Sequence, residues 1–191
     1  FELGKGIEIA DGSDLTIVST GYMVHLSLEA SKLLENEGIK ARVINIHTIK
    51  PIDRDIIIKA AKETGAILTV EEHSIIGGLG SAVSEVVVEN CPVAMKRIGV
   101  NDKFGKSGKP EVLLERYGLT KEAIVAGAKE LIGSFVSVGN SIGSLLLVVI
   151  LLKVLLNSMG KLIGAGGVAL AGHAAELSHH FARILAYYHF G

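Results

Sequence analysis

Two acids and a histidine, Glu71-Glu72-His73, stand just ahead of a glycine-rich turn, Gly77-Gly78-Leu79-Gly80. The apolar run before them reads as a strand and Gly80 onward as a helix. These groups therefore fall at the carboxyl end of a strand, where open α/β sheets present ligand-binding groups. Glycines let a helix N-terminus come close to another surface, and its free N–H groups suit an anion. His73 could serve as an acid or base near neutral pH. The chemistry stops there. No Gly-Lys-Ser/Thr follows, so the turn is not a P-loop, and its glycine spacing misses the dinucleotide fingerprint. No nucleophile or partnered base stands at a useful spacing, so no catalytic residue is assigned. Glu71, His73, Gly77, Gly78 and Gly80 are read as an interface or anion-binding set. The plainer alternative is that the glycines only permit tight packing of helix on sheet or of subunit on subunit. His25 and His47 are read as surface or half-buried residues without function.

A second constellation lies near the end of the chain. Glu176 and His179 stand at i, i+3, a spacing used in di-metal helix bundles, and His173, Glu176 and His180 share one helix face. A metal needs ligands from more than one helix, and the helix before this one offers only Lys153 and Asn157. A solvated polar face accounts for the pattern, and no metal site is assigned. His189 is given no role. The single cysteine, Cys91, rules out an intrachain disulfide and a multi-cysteine metal centre.

Charge excludes further classes. Lys and Arg number 19 and Asp and Glu 20, so no strong field draws the chain to nucleic acid. Trp is absent and aromatics are 5% of residues, too few for a base-stacking platform. No basic stretch followed by an apolar run opens the chain, which makes a cytoplasmic setting the expectation.

The elements that must position these residues alternate. Leu15–Thr20 reads as a strand, Met23–Asn36 as a helix closed by Gly38, and Ala41–Ile46 as the next strand. Asp53 can cap a helix running to Thr64. Ala66–Val70, Gly80–Asn90 and Val93–Ile98 continue as strand, helix and strand. Gly6–Ala10, joined to the first strand through Asp11-Gly12-Ser13, reads as its hairpin partner. Helices over Glu111–Tyr117 and Thr120–Leu131, the second capped by Thr120, close the segment. Strand–helix alternation with short connections requires right-handed crossovers, hence an α/β fold with a mostly parallel sheet and helices on both faces.

The composition changes sharply at Ile132-Gly133-Ser134. All but three of the basic residues and all but one of the acidic ones lie before residue 133. Residues 1–132 are expected to form the α/β domain and 133–191 an apolar helical hairpin, joined naturally or by fusion. From Ile142 to Ile163 every helical turn is apolar apart from a strip of Lys153, Asn157 and Lys161. Gly164-Ala165-Gly166-Gly167 then breaks the chain before a second helical pattern with a heptad-like seam. A helix apolar on all sides must be buried on all sides. Leu145, Leu147, Val149, Ile150, Leu152 and Leu156, with Leu170, Leu177, Phe181 and Ile184 of the second helix, are read as oligomerisation residues. Insertion of 142–163 into a membrane is an alternative its length permits, and folding over the α/β domain is another.

Several motifs together carry a family resemblance. They are Asp14-Leu15-Thr16-Ile17-Val18-Ser19-Thr20-Gly21, Val43-Ile44-Asn45 with Ile49-Lys50-Pro51-Ile52-Asp53, Glu71 to Ser81, and Phe104-Gly105-Lys106-Ser107-Gly108-Lys109-Pro110-Glu111 with Tyr117-Gly118-Leu119-Thr120. On these, residues 1–132 closely resemble the C-terminal domain of transketolase, shared with deoxyxylulose-phosphate synthase and the β subunits of 2-oxoacid dehydrogenases. The resemblance implies a five-stranded, mostly parallel sheet with one antiparallel edge and an accessory domain that helps build the dimer. It implies that thiamine diphosphate and its divalent metal are held by other domains, and no Gly-Asp-Gly metal motif occurs here. The expected function is a non-catalytic assembly chain, a homo-oligomer driven by the helical tail. The alternatives are a C-terminal subunit or fragment of a transketolase, active only beside an N-terminal subunit carrying the cofactor domains, and a membrane-inserting hairpin fused to the domain.

Overall fold

The computed structural model describes residues 2–133, which fall within one unit, Phe1–Phe135. The elements run β1 (Ile7–Ala10), β2 (Leu15–Ser19), α1 (Met23–Asn36), β3 (Ala41–Asn45), α2 (Arg54–Thr64), β4 (Ala66–Ser74), α3 (Leu79–Asn90), β5 (Ala94–Val100) and α4 (Pro110–Arg116). Residues 121–133 form a further helix, α5. The sheet order is β1-β3-β2-β4-β5. β2 lies parallel to β3 and β4, β4 parallel to β5, and β1 antiparallel to β3.

Alternation along the central strands builds two cores. Leu15 and Ile17 of β2, Val43 of β3 and Leu68 and Val70 of β4 pack with Met23, Ala30 and Leu34 of α1 and Ile124, Ala128 and Leu131 of α5. Val18, Ile44 and Ile67, one residue out of phase, pack with Ile57, Ala60 and Ala61 of α2 and Leu79, Val83, Val86 and Val87 of α3. Side chains on a strand point alternately to opposite faces, so β2 with helices on both sides is buried throughout.

Local chemistry sets the helix ends. The Asp53 carboxylate accepts from the Ile56 amide at 3.4 Å and, with its other oxygen, from Gly6 at 2.9 Å. It thus caps α2 and ties down the segment entering β1. The Thr120 hydroxyl accepts from Ala123 at 3.2 Å and caps α5. After α1, Gly38 takes φ +83°, and the Gly38 and Ile39 amides donate to the Glu35 and Leu34 carbonyls. That is a Schellman ending, which needs a residue at ease with left-handed backbone.

Two expectations are corrected. β1 does not form a hairpin with β2. The Asp11-Gly12-Ser13 connection crosses the start of β3, and β1 pairs with β3 at the sheet edge. A Cβ on Gly12 would run into the backbone of Lys40, Ala41 and Arg42, so the crossing needs a glycine. Arg42, 8% exposed, secures it through Asp11 at 3.1 Å, Glu63, and Glu8 at 3.9 Å. The Gly12 amide, then the Arg42 guanidinium, hold the Asp11 carboxyl below its ordinary range. The second correction is that β4 runs on past Val70 through Glu71, Glu72 and His73 to Ser74.

Among the described residues no helix is long and apolar enough to cross a membrane. The helical hairpin expected over 133–191, with its oligomerisation and polar-face residues, lies outside the described residues save for Gly133.

Candidate functional site

The sheet changes winding direction between β2 and β4. α1 carries the chain from β2 to β3 on one side, and α3 carries it from β4 to β5 on the other. Such a switch point opens a crevice at the carboxyl ends of the strands. Here it holds a hollow of about 370 Å³ lined by Thr20-Gly21-Tyr22, Ile49, Glu71-Glu72-His73 and Gly77-Gly78. The structure thus brings Glu71, His73, Gly77 and Gly78 of the sequence-derived set to one place. Gly80 is the second residue of α3.

Glu71 is 1% exposed, and its position on β4 explains why. Ile67 packs on the α2–α3 side, so Glu71, four residues later on a period of two, points to the same side. Its carboxylate accepts from the Leu79 amide at 2.7 Å and the Gly80 amide at 2.8 Å. The N–H groups that would suit an outside anion are therefore held by an internal one. A buried carboxylate is costly unless hydrogen-bonded, and two N–H donors at the positive end of a helix meet that need.

The glycines follow from this contact. A Cβ on Gly78 would overlap the Glu71 carboxylate and lie 2.9 Å from the Ser74 carbonyl. One on Gly80 would sit 2.8 Å from the Thr69 hydroxyl and 2.7 Å from Cδ of Arg97. Both glycines serve close packing of helix on sheet, as the plainer reading of the sequence has it.

His73 is exposed, and its Nδ1 lies 2.9 Å from the Ser74 carbonyl oxygen. A carbonyl only accepts, so Nδ1 is the donor in this contact, and Nε2 remains for a bound surface. Glu72 is exposed beside it. The crevice can therefore offer a carboxylate, an imidazole and the Tyr22 phenol to a bound surface. Outside the chosen set, the structure adds Tyr22, Ile49 and the neighbouring Ile76, which are 56%, 38% and 61% exposed. The signal for Tyr22 was present in the sequence, because Thr20-Gly21-Tyr22 directly follows the strand that ends beside β4.

Residues 4–124 match the model of the family described as transketolase, C-terminal domain. The chain belongs to that family. It is 47% identical over 130 residues to a 6-deoxy-6-sulfo-D-fructose transketolase subunit of Clostridium sp. (strain MSTE9), covering 68% of this chain and 40% of that one. A putative transketolase C-terminal section of Methanocaldococcus jannaschii is 50% identical over 125 residues, covering 65% and 39%. A solved structure described as a split-gene transketolase, an inactive β4 tetramer, has 50% identity and a TM-score of 0.67, covering 70% of this chain and 44% of that chain. The match thus spans about two-fifths of the length of these relatives.

The described residues do not fit thiamine diphosphate and its metal. The α3 amides that could cradle a pyrophosphate are held by Glu71. Among the described residues no three His, Cys, Asp or Glu side chains converge on a point where a cation could sit.

Proposed function

We propose that this chain is the C-terminal section of a transketolase, contributing to transfer of a two-carbon ketol unit only beside segments that carry the thiamine-diphosphate domains. This reverses the weight given to a pure assembly chain, because relatives at 45–50% identity are described as transketolase subunits or sections. The observation that carries the reading is the Glu71 contact. It takes up the Leu79 and Gly80 amides at the switch point, which leaves that end of the sheet as a contact surface rather than an anion cradle. The role is then to hold domains or subunits together, in a cytoplasmic setting. A relative is described as a β4 tetramer, and self-association belongs to the proposal.

Complementation tests it. The chain is added to a protein bearing the pyrophosphate and pyrimidine domains of a related split transketolase, and two-carbon transfer between sugar phosphates is followed. Activity should appear in the mixture and be absent from this chain alone. Micromolar binding of thiamine diphosphate by the chain alone, measured by calorimetry, would overturn the reading.

A further inference from the structure

We propose that one ordered water is bound between α1 and the carboxyl ends of β2 and β3, bridging the hydroxyls of Ser19 and Ser27 and the side-chain carbonyl of Asn45. The inference goes beyond the C-terminal-section reading and does not depend on it.

The strand period puts these groups on one side of the sheet. Ser19 follows Leu15 and Ile17 in steps of two, and Asn45 follows Val43, so both face the core shared with α1. Ser19 and Asn45 are register partners on adjacent parallel strands, which lie about 4.8 Å apart. Ser27 belongs to the buried stripe of α1, with Met23, Ala30 and Leu34, that covers the same core. The helix starts directly after the Thr20-Gly21-Tyr22 turn and runs back along β2. Its first turns, Ser27 included, therefore lie over the carboxyl ends of the strands.

Ser19 and Ser27 are fully buried and Asn45 half-buried, yet Ser19 Oγ, Ser27 Oγ and Asn45 Oδ1 have no hydrogen-bond partner among the described residues. Ser31, one turn further along α1, is satisfied by donating to the Leu28 carbonyl at 2.9 Å. Buried polar atoms left unpaired are costly and rare, and three on one side of the sheet call for a shared partner. Water fits their chemistry. The Asn45 oxygen only accepts, each serine hydroxyl donates or accepts, and a water with two hydrogens and two lone pairs answers all three. Serines replace the larger Leu, Ile and Val of the rest of this core, which leaves room for one molecule. The bridge would tie the first turns of α1 to two strands at once, behind the turn that carries Tyr22.

Crystallography and a mutant cycle on the full chain decide it. A crystal structure fine enough to show ordered solvent should place one density peak within about 3.2 Å of all three oxygens. Hydroxyls turned onto backbone carbonyls, with no peak between them, overturn the proposal. A peak that exchanges for rubidium, seen by its anomalous signal, is a cation and overturns it too. In urea unfolding, Ser19→Ala and Ser27→Ala should each lower the midpoint, because each strips the water of a partner. An unpaired hydroxyl would give the opposite sign, since alanine would then remove an uncompensated polar group, and a raised midpoint overturns the bridge. The double variant should lose less than the sum of the single losses, as groups sharing one partner do. Additive losses would mean that the two serines answer to different partners, and the shared water fails. No ketol transfer is read, so such a failure leaves the C-terminal-section reading standing.

Discussion

The carboxylate of Glu71 accepts from the backbone amide of Gly80 at 2.8 Å, so an acid within β4 caps the start of the helix leading to β5. Strand, turn and helix are fastened at one buried point. Glu71→Gln keeps the shape but sets an NH2 group against an N–H donor. Leaving a buried donor without its acceptor costs about 1–3 kcal/mol. Urea unfolding should show that loss at neutral pH, and an unchanged midpoint would mean the contact stabilises nothing.

Gly77 and Gly78 should respond to alanine in a set order. Gly77 has φ +76° with open space around it, so Gly77→Ala meets backbone strain alone, about 1–2 kcal/mol. Gly78 has an ordinary φ of −95° but no room, since a methyl there overlaps the Glu71 carboxylate. Gly78→Ala should cost about 3 kcal/mol, at the upper end for overpacking. Equal losses in denaturant titrations would contradict the Glu71 geometry.

The Glu29–Lys121 pair, 3.0 Å apart, joins α1 to α5 and should show in the pH dependence of stability. The hydrogen bond from Lys121, then its charge, hold the Glu29 carboxyl below its ordinary 4.5. A carboxyl depressed on folding stabilises fully above its unfolded value, and the effect fades as pH falls through the lower folded value. Glu29→Gln should therefore lower the urea midpoint slightly at neutral pH and leave it unchanged once the pH has fallen below the lowered folded value, where Glu29 is protonated in both states. A difference that grows toward acid would reverse the sign and refute the pairing.

What the sequence disclosed was local. Asp53 and Thr120 announce α2 and α5 because a cap is settled within three residues, and both bonds form as expected. The alternation of strand and helix signals, from Leu15–Thr20 through Met23–Asn36 to Ala41–Ile46, is likewise readable in short windows and led to the α/β architecture. The place of β1 was not legible, because it depends on Arg42 reaching Asp11 across 31 positions. The end of β4 was hidden for a related reason. Glu71, Glu72 and His73 interrupt the apolar run, and the segment stays in the sheet through the pairing of Ser74 with Val100, a partner 26 positions away. At the site, the glycines suggested an outside anion, while the anion that takes those amides sits eight residues earlier in the same chain.

The α/β domain should fold without the apolar C-terminal segment. Among the described residues, both cores have many buried members, and the last of them are Leu131, 5% exposed, and Ile132, packed against the first core. Truncation after Ile132 keeps every described buried side chain of both cores, and the product should unfold cooperatively with intact far-ultraviolet circular dichroism. Truncation after Gly118 makes the contrast. It strips Leu119, Ile124 and Leu131 from the α1 side of the sheet. At about 2 kcal/mol per large side chain, about 6 kcal/mol in all, that loss is comparable to a typical domain's whole margin. The shorter product should be largely unfolded. If the longer one is unfolded as well, the segment after residue 132 is part of the domain's core, and the division of the chain at the composition break is wrong.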